Sequence, residues 1–141
     1  MKIAGMVVSM ALLCSAAFAQ GTSATEPRVI LKGYDPVAYF TEHKAVKGTP
    51  DIREDFDGAR YYFASAQNRK AFSADPDRYI PQFAANCAVS IGMNKRVEAD
   101  PTQWKIVDGK LYVFGSARAR NMAAKDPALL QQSQKNWQAM K

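Results

Sequence analysis

Cys87 is the side chain of this sequence best suited to chemistry. It stands in the stretch "YIPQFAANCAVSIGMNKR", and the only other cysteine is Cys14 near the front end. A thiolate attacks electrophiles, binds soft metals and forms mixed disulfides. Met93, in the same stretch, offers a thioether, and thiolate with thioether suits Cu(I). His43, in "TEHKAVKG", is the sole histidine. One cysteine, one methionine and one histidine, with no CxxC pair, form a thin ligand set for a metal. Two other readings stand beside a copper site. Cys87 could be a redox or sensing thiol recycled by an external partner, or a small buried side chain in a plain binding module. A hydrolase fits poorly: no nucleophile elbow is present, and the lone histidine has no obvious aspartate neighbour. Asp51, Glu54, Asp55 and Asp57 cluster ahead of a turn, as solvated residues on the approach to a hairpin do. The reading is a protein that binds a soft transition metal, copper first, and no residue pattern establishes an enzyme.

The thiol is unpaired because of how the chain begins. Met1-Lys2 is a short basic start, Ile3 to Leu13 is nearly all apolar, and Ala17 and Ala19 are the small residues a signal peptidase favours. Residues 1–19 therefore read as a signal peptide cleaved after Ala19, which sends the protein to the periplasm or outside the cell. Cleavage removes Cys14 and leaves Cys87 alone in an oxidising compartment, where cysteines normally come in pairs. Residues 20–29 read as a flexible N-terminal segment and residues 30–141 as one domain. No second apolar stretch is long enough to span a bilayer, so no integral membrane segment is expected after cleavage.

The formal net charge is +6, or +5 without Lys2. The basic residues are scattered, so nucleic acid is not an expected partner. The expected partners are a metal ion or a periplasmic thiol or protein. The charge suits solubility or weak contact with anionic surfaces.

The chain contains an internal likeness. "DGARYYFASAQNRKAFSADP" (57–76) aligns without a gap to "DGKLYVFGSARARNMAAKDP" (108–127), at an offset of 51 and with nine identities in twenty positions. Ordinary residue usage would give about one or two. The spacing predicts an internal duplication, with copies over about 34–80 and 85–131. In each copy Asp-Gly joins two strand-like runs, the strongest short hairpin signal. Ser65 and Ser116 read as N-caps of the helices that follow. Asp75-Pro76 and Asp126-Pro127 open further helices, the last anchored by Leu129, Leu130 and Trp137. The expected fold is α+β: two hairpin-plus-helix units packed as one domain, since neither could bury enough apolar surface alone.

The offset lays "YDPVAYF" (34–40) on "ANCAVSI" (85–91). Asp35 and Pro36 would open a short helix in the first copy. In the second, Asn86 would take the cap role and Cys87 the place of Pro36. Cys87 is thus expected in the first turn of a helix that Gly92 ends. Amide N–H groups there carry a positive partial charge and favour an anionic sulfur.

The runs "LKGYDPVAYFTEHKAVKG", "YYFASAQNRKAFSADPDRYIPQFAANCA" and "WKIVDGKLYVF" resemble exported bacterial YHS-domain proteins, over about Ile30 to Trp137. The resemblance implies a small α+β module proposed to bind metal. It places the family's cysteine, usually within a "GYCA"-like run, on Cys87, where some relatives look as if they carry selenocysteine. It adds Tyr34 and Asp35 as candidates at the equivalent helix start. Two departures stand out. Ala84, Ala85 and Asn86 replace the Gly-Gly-Tyr common before the cysteine, and His43 stands where relatives commonly have glycine.

Overall fold

The structure, a computed structural model, describes residues 24–141. The expected signal peptide and Cys14 lie outside the described residues.

The chain begins with strand β1 (Arg28–Val29), a left-handed turn (Ile30–Gly33) and the short helix α1 (Ala38–Thr41). Hairpin β2 (Thr49–Phe56) and β3 (Ala59–Phe63) follows, then helices α2 (Ala66–Ala74) and α3 (Pro76–Tyr79). The second half repeats the order. A left-handed turn (Gln82–Ala85) leads to α4 (Ala88–Gly92), hairpin β4 (Asp100–Val107) and β5 (Lys110–Phe114), α5 (Ala117–Lys125) and α6 (Ala128–Met140). The fold is α+β, as expected. The end of the stretch 20–29 belongs to the sheet. Arg28 and Val29 pair parallel with Ala59 and Arg60, giving a sheet of order β1-β3-β2, because the edge of β3 leaves backbone groups to satisfy.

Local chemistry explains the elements. Asp57-Gly58 and Asp108-Gly109 both have positive φ at the two turn positions, 49° and 74° in one and 52° and 72° in the other. That is the two-residue turn whose twist matches a hairpin. Ser65 Oγ accepts from the Asn68 amide at 3.1 Å, and Ser116 Oγ from the Ala119 amide at 3.2 Å, so both serines cap as expected. Pro76 opens α3, whereas Pro127 stands just before α6 and Asp126 Oδ1 accepts from the Ala128 amide at 3.1 Å.

The core is aromatic. Phe72 meets the Tyr61 ring at 4.9 Å and the Phe63 ring at 5.2 Å on the first hairpin. Phe83 meets Tyr112 at 5.8 Å and Trp137 at 5.9 Å on the second half. The Tyr39 hydroxyl donates to the Pro101 carbonyl at 2.8 Å and ties the halves together. Gly92 is the last residue of α4, but its reason for being glycine is close packing. A Cβ there would stand 2.9 Å from Ser133 Oγ of α6. Ser133 Oγ in turn donates to the Ala88 carbonyl at 2.6 Å.

Candidate functional site

Three pairs of backbone bonds fix how the halves correspond. Tyr34 N–H donates to Leu31 O at 2.9 Å, and Asn86 N–H to Phe83 O at 3.0 Å. Asp35 N–H donates to Val46 O at 2.8 Å, and Cys87 N–H to Val97 O at 2.7 Å. Gly48 N–H donates to Gly33 O at 2.8 Å, and Ala99 N–H to Ala85 O at 3.3 Å. The offset is 51 for the later partners but 52 for the residues that lead into the helices. The second half is one residue shorter in between.

This corrects the placement of the thiol. Cys87 corresponds to Asp35 and not to Pro36, and it is the N-cap residue of α4, outside the first turn. Asn86 corresponds to Tyr34 and does not cap α4. Its side-chain amide donates back to the Phe83 carbonyl at 2.8 Å, which satisfies the left-handed turn. Gapless alignment could not reveal the lost residue, because the identities that fix the offset all lie further along the chain.

The two corresponding positions are built differently, and in the first half Val37, not Asp35, is the N-cap of α1. Asp35 is fully buried, yet its carboxylate is saturated. Oδ1 accepts from the Val37 amide at 2.8 Å and from the Ala38 amide at 3.4 Å. Oδ2 accepts from the Ala64 amide at 2.8 Å and from Asn68 Nδ2 at 2.8 Å. The carboxylate thereby locks α1 to the turn between β3 and α2. In the second half Gly115 stands where Ala64 does, and Ala119 where Asn68 does. Cys87 is 3 % exposed, and a Cβ on Gly115 would lie 3.7 Å from its sulfur. Among the described residues its thiol makes no hydrogen bond, and it belongs to the hydrophobic core. A polar lock in one half is an apolar contact in the other. The sequence carried a signal for this: Asn68 and Ala119 differ at aligned positions. Asn68 and the Ala64 backbone were nevertheless missed, because a backbone donor leaves no side-chain mark.

The five candidate residues are not gathered. Cys87 and Asp35 are buried, Tyr34 is half-buried, His43 is exposed and Met93 is 62 % exposed. The ammonium of Lys47 lies over the Tyr34 ring, 5.2 Å from its centre. His43 has φ 54° and sits in the turn after α1, while Asn94, its counterpart, has φ 58° beside Met93. A groove of about 260 Å³ at the seam of the halves is lined by Phe56, Tyr61, Phe83 and Trp137, among others, and by none of the five.

These residues do not fit a formed metal centre. Among the described residues no group of three His, Cys, Asp or Glu side chains could hold an ion. The Asp35 oxygens face four N–H donors, which repel a cation. Cys87 has sulfur to offer but stands in aliphatic and aromatic surroundings.

A YHS domain is found at residues 37–83, from the entry of α1 to the left-handed turn before α4. It is a module associated with metal binding. Of the five candidates only His43 lies inside this span. Tyr34 and Asp35 come just before it, and Cys87 and Met93 beyond it. No curated protein and no solved structure matches the chain. Among the described residues no helix is long and apolar enough to cross a membrane.

Proposed function

We propose that the protein is a non-catalytic binding module of the YHS type, exported to the bacterial cell envelope. The observation that carries this reading is the closure of both helix starts. Asp35 is saturated by four donors and Cys87 is packed away, so neither is open for acid–base or nucleophilic work. The leader-like pattern of residues 1–19 supports export. The recurring backbone bonds support descent of the two halves from one duplicated unit.

A second reading keeps Cys87 as a soft-metal anchor, with copper as the ion that suits a thiolate. One observation favours it. Cys87 occupies the position that holds an anion in the other half, where amide N–H groups at a helix start receive negative charge. Access to the sulfur requires the Gly115 turn to move away from it. A redox or sensing role asks for an accessible thiol, which burial of Cys87 opposes.

Metal analysis separates the readings. The protein is purified from its native compartment, wild type beside Cys87→Ser. Near-zero copper in both is the expected result. Stoichiometric copper in the wild type, lost in the variant, would put the second reading in place of the first.

A further inference from the structure

The halves carry the same elements but not the same charge. Residues 24–80 hold nine Lys or Arg and nine Asp or Glu, a net charge of zero. Residues 81–141 hold nine Lys or Arg against four Asp or Glu, a net charge of +5. Every ion pair among the described residues takes its cation, Arg28, Arg60 or Arg69, from the first half. The cations of the second half have no carboxylate partner among the described residues.

Corresponding positions show where the difference falls. In the first half Arg69 of α2 pairs with Glu54 of β2 at 3.7 Å. Glu54 stands opposite Tyr61 on β3, and its counterpart Lys105 stands opposite Tyr112 on β5. Arg69 corresponds to Arg120. An ion pair between hairpin and helix in one half is therefore two cations in the other. The outer stripe of the helix changes with it. Gln67, Ala71 and Ala74 of α2 become Arg118, Met122 and Lys125 of α5, all exposed and spaced to share one face. Because α2 folds with an uncharged stripe, the fold does not require the basic one. The exposed large apolar side chains follow the charge. Met93 at 62 %, Val97 at 46 % and Met122 at 43 % exposure all belong to the second half.

We infer that the exposed stripe of α5 formed by Arg118, Met122 and Lys125 docks on a bilayer surface rich in anionic phospholipid. Arg118 and Lys125 meet the lipid phosphates, and Met122 between them enters among the headgroups. Basic residues flanking an exposed apolar side chain match the layered chemistry of that surface. Cys87 has no part in this.

The test is co-sedimentation of the protein, in the form the cell makes, with phosphatidylglycerol vesicles and with phosphatidylcholine vesicles at low salt. Binding to the first and not the second is expected, weakening as salt rises. Arg118→Gln with Lys125→Gln should lower the partition coefficient about 25-fold, at about 1 kcal/mol per basic residue on an anionic surface. Met122→Ser should reduce the binding that survives high salt. Both variants change exposed residues only, and matching unfolding curves would confirm the fold. Equal binding to both vesicle types, no binding to either, or binding that the double variant leaves unchanged would overturn the inference. So would tighter binding to single-stranded DNA or to an acidic peptide than to the anionic vesicles.

Discussion

Asp35 is the residue whose removal should cost the fold most per atom. Asp35→Ala would leave the buried amides of Val37 and Ala38, and the part-buried Ala64 amide and Asn68 side chain, without their acceptor. A loss of about 3 kcal/mol or more is expected in urea unfolding. The second half offers the converse experiment. Cys87→Asp alone would bury a carboxylate facing Gly115 and Ala119, and should destabilise by several kcal/mol, on the order of a broken buried pair. Adding Ala119→Asn supplies the donor the first half uses, and should return about 1 kcal/mol or more as coupling in a double-mutant cycle. Strict additivity would show that the two positions are not interchangeable. This contrast was half legible in the sequence. The cysteine, the aspartate and the Asn68 and Ala119 difference can all be read there. The single-residue shift that puts Cys87 opposite Asp35 cannot, because it falls where the halves share little identity.

Among the elements, the hairpins were the most legible, since Asp-Gly fixes the turn and alternation fixes the face. The left-handed turns before α1 and α4 were not. Leu31, Lys32, Phe83, Ala84 and Ala85 have φ between 48° and 60°; Gly33, with φ 82°, is the one residue of a type that favours this conformation, and the second turn has none. Tertiary bonds such as Ala99 N–H to Ala85 O hold them there. The first hairpin also carries a pH response. Burial, and then the charge of Asp57, push the Tyr61 phenol up to about 12 from an ordinary 10.0. Burial, and then Tyr34, push Tyr39 well above the ordinary phenol range. A phenol held neutral by the fold contributes stability that is complete below its unfolded value. That stability is lost as pH rises through the folded value. Unfolding free energy should therefore hold steady up to pH 10 and fall between about 10 and 12. Phenolate absorbance followed along the same titration should rise with unfolding. Early ionisation of all six tyrosines in the folded chain would contradict the burial of these two.

For the whole molecule, α6 is the element that outgrows its counterpart, α3. Where the first half ends in the four-residue α3, the second extends to thirteen residues. Ser133 binds the Ala88 carbonyl, and Asn136 Nδ2 donates to the carbonyls of Ile91 at 3.0 Å and Gly92 at 2.9 Å. Trp137 lies against Phe83 and under the Arg96 guanidinium, 4.8 Å from the ring centre. Deleting residues 128–141 should abolish cooperative unfolding, because Phe83, Ala88, Ile91 and Tyr112 would lose their cover together. A sharp urea transition in the shortened chain would show that the core stands without α6.

The reach of this last helix also bears on how the module can be borrowed. The span recognised as a YHS domain stops at Phe83, the residue that Trp137 shelters from the far end of the chain. A graft cut at those limits would carry a greasy wound in place of a surface. Transplanting the unit into another polypeptide means taking it through Met140, with the recipient joined on beyond.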